Sequence, residues 1–139
     1  MTTAQAINAV PVAEYVLSAI QLGLKRFWHY ARLTREIKTF PTERPLPGAY
    51  GTVVGLVSYG VIARMVREKL RALETQVIVY DPFLSEAEAA REGVKRVTLD
   101  ELFATADAVS LHVPSLPETR GLITGRHLAQ MKPGAFFLN

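Results

Sequence analysis

Thr52-Val53-Val54-Gly55-Leu56-Val57-Ser58-Tyr59-Gly60-Val61-Ile62-Ala63 changes character halfway along. Up to Val57 it is a continuous apolar run, as expected of a strand whose two faces are both covered. From Val61 the period becomes helical. Ile62, Val66, Leu70 and Leu73 recur on one face, while Arg64, Arg67, Glu68 and Arg71 are expected to face water. Strand, tight turn and helix follow one another. In dinucleotide-binding folds the turn carries GxGxxG: the first position makes the turn, the second admits a pyrophosphate against the backbone, and the third lets helix and strand pack closely. Here the three positions read Ser58, Gly60 and Ala63. Gly60 leaves the phosphate space clear, whereas Ser58 must turn the chain without glycine's conformational freedom. The free amides of Val61 and Ile62, at the positive end of the helix, would bind the pyrophosphate without any basic side chain.

Downstream, Gln76–Asp81 reads as a second strand. An acidic residue is expected about 20 residues after the loop to take the ribose hydroxyls, and Asp81 stands there. A carboxylate would repel a 2′-phosphate, and no Arg follows in Pro82-Phe83-Leu84, so Asp81 favours NAD over NADP. The alternation then continues with a helix over Ser85–Glu92, a weak strand near Val94–Thr98 and a short helix over Leu99–Ala104. A strand over Ala108–Val113, a helical turn over Gly125–Gln130 and a last strand over Ala135–Leu138 complete it. Ser85 with Glu88 and Thr98 with Glu101 have capping-box spacing and mark two helix starts. The class is α/β.

Upstream, a helix is expected from Val12 to about Leu33. Ala13, Leu17, Ile20, Leu24 and Phe27 form its face, and Glu14, Ser18, Gln21 and Lys25 a narrow polar seam. Val16, Ala19, Leu22 and Gly23 widen the apolar surface, so either the rest of this domain or a second subunit must cover more than one side. Pro41, Pro45, Pro47, Gly48 and Gly51 then make 39–51 an extended linker.

The 139 residues are 49% hydrophobic and 21% charged, which suits one globular domain and leaves no room for a second. Cysteine is absent, which removes disulfides, thiolate metal sites and a cysteine nucleophile and makes a reducing compartment the expectation. The apolar run Val10–Leu24 is broken by Pro11, Glu14 and Gln21, and the start has no basic region, so neither a membrane span nor a signal peptide is expected. The net charge of +3 is concentrated between Lys25 and Arg44. Without a nucleic-acid-binding motif this basic stretch reads as a solvated helix end and linker; the nucleic-acid reading would require salt-steep binding to DNA or RNA. His29 and His127 lack metal-ligand spacing and are expected at the surface, so no metal site is expected. His112 ends a strand at the sheet edge where open α/β folds bind ligands.

Together the loop from Gly55 to Ala63, Tyr80-Asp81-Pro82, Leu111-His112-Val113-Pro114, Pro117-Glu118-Thr119-Arg120-Gly121-Leu122-Ile123 and Met131-Lys132-Pro133-Gly134-Ala135 resemble the cofactor domain of the D-isomer-specific 2-hydroxyacid dehydrogenases. The stretch Asn8 with Val10-Pro11-Val12-Ala13-Glu14 extends the resemblance over nearly the whole chain. It implies a Rossmann-type open parallel sheet of order 3-2-1-4-5 with helices on both faces, preceded by a long N-terminal helix. The implied division of 1–139 is a long interdomain or dimer-type helix over 1–38, the linker at 39–51 and a Rossmann core over 52–139. The implied cofactor is NAD, held by Ser58, Tyr59, Gly60, Val61, Ile62, Asp81, Pro82, His112, Val113, Pro114 and Thr119. His112 would lie beside the nicotinamide without donating a proton, and Thr119 either near the cofactor or capping its own turn. The implied reaction is hydride transfer between NAD and a D-2-hydroxyacid or 2-oxoacid, in a cytoplasmic homodimer. In the family the final strand continues into Asn-x-Ala-Arg-Gly, and the sequence stops at Phe136-Phe137-Leu138-Asn139. On that comparison the substrate Arg, the catalytic acid and His, and the substrate domain lie outside these residues. No catalytic residue is then expected here, and the isolated chain should bind cofactor without turnover. The rival reading is a non-catalytic dinucleotide-binding or dimerisation module.

Overall fold

The computed structural model describes residues 4–39 and 48–139, with side chains from Asn8 onward. Most of the linker expected at 39–51 therefore lies outside the described residues. Two helices come first, α1 (Ala4–Leu24) and α2 (Phe27–Ile37). Then follow β1 (Val53–Val57), α3 (Val61–Leu70), β2 (Gln76–Tyr80), α4 (Glu86–Glu92), β3 (Lys95–Arg96), α5 (Leu99–Thr105), β4 (Ala108–Leu111), α6 (Gly125–Gln130) and β5 (Phe136–Leu138). All strands pair in parallel in the order β3-β2-β1-β4-β5. This is the doubly wound sheet that the resemblance implied. The crossover reverses direction between β1 and β4, and that reversal opens the ligand crevice at the carboxyl ends of the strands.

Two apolar layers sandwich the sheet. On one face Ala13, Val16, Ile20 and Leu24 of α1 and Ala63, Val66 and Leu70 of α3 pack with Val54, Leu56, Val79 and Ala108. On the other, Leu102 and Phe103 of α5 pack with Val57, Ile78 and Val109. Alternate residues of β1 serve opposite layers, which is why the strand had to be apolar throughout. Gly55 admits α5 to close contact: a Cβ there would stand 2.6 Å from Leu102 Cδ2.

Several expectations are corrected. The continuous helix expected from Val12 to Leu33 is interrupted, because Arg26 adopts a left-handed conformation (φ 52°) between α1 and α2. Phe27, expected on the buried face, is consequently half-exposed on the second helix. Arg67 is buried instead of facing water, and its guanidinium reaches Gly93 O, the carbonyl at the end of α4, at 3.5 Å. His127 is buried against Phe103, with ring centroids 5.4 Å apart. Its Nδ1 accepts from the Thr124 amide at 3.1 Å, so the ring caps the start of α6. Of the two expected capping boxes, Ser85–Glu88 is reciprocal. At α5 only Thr98 caps, accepting from the Glu101 amide at 3.1 Å.

Candidate functional site: a dinucleotide crevice

β1 delivers the chain to the middle of the carboxyl edge, and Ser58 turns it there with φ 71°. A non-glycine residue in this region costs about 1 kcal/mol, so the turn needs outside support. It has several partners. The Ser58 amide donates to Tyr80 O at 2.8 Å, and the Tyr59 amide donates to Asp81 Oδ2 at 2.7 Å. Asp81 Oδ1 accepts from the Phe83 amide at 2.8 Å. Asp81 thus ties the loop to the end of β2, a bond between residues that periodicity alone could not connect.

Behind the loop the Tyr59 ring is buried, with the Arg64 guanidinium 4.7 Å from its centroid and its hydroxyl 3.4 Å from Glu92 Oε2. Arg64 also pairs with Glu92 at 2.5 Å and lies 3.9 Å from Glu88. Burial, followed by the nearby Glu92 carboxylate, pushes the Tyr59 hydroxyl up to about 12. Tyr59 can therefore offer its crevice side nothing but backbone; its side chain bolts the loop to α4. Sequence reasoning did not find Arg64 or Glu92, because the three groups meet only across the α3–α4 packing.

Gly60 is the N-cap of α3 and supplies no side-chain cap, so the first-turn amides of Val61 and Ile62 keep their outward orientation. A Cβ added at Gly60 would meet nothing within 4 Å, and its φ of −79° is open to any residue. Neither packing nor backbone strain demands glycine there. The cleared volume in front of the helix end suits a phosphate group at van der Waals distance from the backbone.

On one side of the loop, Tyr80, Asp81 and Pro82 join Arg96, Val97 and Thr98 in a cleft of about 410 Å³. On the other, Val113, Pro114 and Thr119 line a cleft of about 370 Å³ with Leu122, Ile123 and Asn139. Thr119 Oγ1 donates to Pro114 O at 2.6 Å and accepts from the Leu116 amide at 3.0 Å, so its hydroxyl holds the turn that frames this second cleft. His112 continues the β4 ladder through its amide, which donates to Val57 O at 2.9 Å beside Ser58. Burial alone lowers its imidazole to about 4, and Nε2 is buried without a hydrogen-bond partner. The ring is neutral near pH 7 and poorly matched to proton transfer there. Among the described residues no group of three metal-ligating side chains converges, and no helix is long and apolar enough to cross a membrane.

A strand-order reversal, a tight loop aimed at a helix N-terminus and an acidic residue ending β2 define a nicotinamide-dinucleotide domain. Residues 18–139 match the family model described as D-isomer specific 2-hydroxyacid dehydrogenase, NAD binding domain, and the chain belongs to that family. It is 42% identical over 135 residues to the (S)-sulfolactate dehydrogenase of Chromohalobacter salexigens, covering 95% of this chain and 43% of that one. It is also 42% identical over 90 residues to the D-3-phosphoglycerate dehydrogenase of Mycobacterium bovis, covering 65% of this chain and 17% of the relative. A solved D-isomer specific 2-hydroxyacid dehydrogenase from Lactobacillus delbrueckii ssp. bulgaricus, in an NAD-complexed form, superposes with a TM-score of 0.78 at 25% identity. That match covers 99% of this chain and 40% of the solved one, so the chain spans less than half the length of these relatives.

Proposed function

We propose that these residues are the cofactor half of an oxidoreductase that transfers hydride between NAD and a D-2-hydroxyacid or its 2-oxoacid. The observation that carries this reading is Gly60: neither its packing nor its φ calls for glycine, and it clears the approach to the α3 amides beside Asp81. In this reading Gly60, Val61 and Ile62 receive the pyrophosphate, while Ser58, Tyr59, Asp81 and Pro82 form the adenosine-ribose side. His112, Val113, Pro114 and Thr119 border the nicotinamide side. NAD supplies the hydride acceptor at its nicotinamide ring. The chain's own residues bind and orient it, and the Asp81 carboxylate rejects a 2′-phosphate by like-charge repulsion. The proton-transferring groups are then contributed from outside these residues, and the 139 alone bind cofactor without turnover. The family resemblance and the relatives named for D-3-phosphoglycerate and (S)-sulfolactate support a small hydroxy-acid substrate.

The same reading divides the chain into a helical arm over 1–38, a linker over 39–51 and a core over 52–139. It makes the protein a homodimer in the cytoplasm. Support for the dimer comes from Val12, Tyr15 and Leu22, exposed at helical spacing on the outer side of α1, with Phe27 and Trp28 half-exposed nearby.

The test is a fluorescence titration with NADH and NADPH. The chain should bind NADH saturably and NADPH weakly. Asp81→Ala should narrow that selectivity by weakening NADH far more than NADPH. Gly60→Val should abolish binding with an unchanged circular dichroism spectrum. Tight NADH binding by Gly60→Val would reject the phosphate assignment.

A further inference from the structure

Four described non-glycine residues have positive φ: Arg26, Lys38, Ser58 and Glu74. Arg26, Lys38 and Glu74 cap helical segments. Ser58 does not; it stands in the crevice loop, where glycine would make the same turn without strain. Its side chain is half-buried and directed at Asp81, with Oγ 3.5 Å from Oδ2. That separation is well beyond the roughly 2.7–2.8 Å of an ordinary hydroxyl–oxygen hydrogen bond, so the hydroxyl is not saturated. Asp81 is more heavily engaged. Oδ2 accepts from the Tyr59 amide at 2.7 Å and Oδ1 from the Phe83 amide at 2.8 Å, which takes up part of the roughly four acceptor positions a carboxylate offers. A ribose diol arriving at this carboxylate would thus find it partly occupied, with an underused hydroxyl alongside.

We propose that Ser58 is a specificity-determining residue whose hydroxyl, paired with the Asp81 carboxylate, receives the adenosine-ribose hydroxyls of the cofactor. The inference rests on the NAD-binding reading above and adds to it a receptor that glycine at this position would lack. Serine can accept from one ribose hydroxyl while donating to the other or to Asp81, closing the 3.5 Å gap through the ligand. The strain of the turn is the structural cost of carrying that hydroxyl.

Backbone freedom and hydroxyl chemistry pull in opposite directions, and this separates the proposal from a purely structural role. Thermal melts and fluorescence titrations would compare the unaltered chain with Ser58→Gly and Ser58→Ala. The probes are NADH and its analogue lacking the adenosine 2′-hydroxyl. Ser58→Gly should melt roughly 2–6 °C higher, because the turn is relaxed, yet bind NADH about five- to tenfold more weakly. Ser58→Ala should show the same loss of affinity without the rise in melting temperature. Both variants should discriminate less between NADH and the deoxy analogue than the unaltered chain does. If Ser58→Gly binds NADH as tightly as the unaltered chain, or more tightly, the ribose-receptor role is overturned while the cofactor reading stands. If the unaltered chain fails to bind NADH at millimolar concentration, both are overturned.

Discussion

His112 carries a polar atom into a place where the surrounding protein does nothing with it. Its lowered imidazole, about 4 against an ordinary 6.5, has burial as its sole cause, and the sign of the consequence follows from that. Below pH 6.5 the unfolded chain takes up a proton that the folded chain refuses. Stability from this group is therefore complete above 6.5 and lost as pH falls toward 4, by at most about 3 kcal/mol. His112→Phe should flatten this acid limb: its urea midpoint should change less between pH 7 and pH 4.5 than that of the unaltered chain. An unchanged slope would move the acid sensitivity to another group. At this scale the sequence was readable wherever a residue's role depends on its neighbours in the chain. Gly60 and Asp81 were singled out from spacing, and the structure puts one at the start of α3 and bonds the other to the loop before it. The burial of His112 and His127 was not, because burial depends on what the other strands and helices bring against them.

At the scale of elements, Tyr59, α3 and α4 behave as one clamp. The Tyr59 hydroxyl is raised to about 12 from an ordinary 10, so its contribution is present below pH 10 and disappears as pH climbs toward 12. Tyr59→Phe should remove this alkaline loss, lower stability at pH 8 by no more than about 0.5 kcal/mol because the 3.4 Å contact with Glu92 is long for a hydroxyl–carboxylate bond, and leave the ring's packing intact. Alkaline thermal melts with the same slope in both proteins would contradict the assignment. Element identities were legible because their signals are local: apolar runs for β1 and β2, and a reciprocal capping box for α4. The break at Arg26 was not. The apolar period continues through Lys25-Arg26-Phe27, and the left-handed turn that ends α1 leaves no mark in residue type. Arg67 was likewise misread, since helical periodicity assigns a charged residue to water while its long side chain reaches a carbonyl 26 residues away.

For the whole molecule, α1 turns one side inward onto α3, β4 and β5, so the rest of the domain covers that side, and it leaves a second apolar stripe outside. We expect Tyr15→Glu combined with Leu22→Glu to convert a dimer into a folded monomer in sedimentation analysis. A monomeric unaltered chain, or a double variant that stays dimeric, would exclude this surface as the interface.

The succession of strand and helix, the glycine at position 60 and the carboxylate at 81 were determined by sequence alone, because each depends on residue type and short-range spacing. The order of the strands was available only through resemblance. Tertiary structure alone decided that Asp81 holds the loop, that Tyr59 is clamped by Arg64 and Glu92, and that Ser58 is strained with its hydroxyl underused. Apart from the contact of Arg64 with Tyr59, these contacts join residues more than 20 positions apart, and no local preference encodes a distance of that kind. It arises when apolar layers close on both faces of the sheet and carry the polar groups at their edge to fixed places.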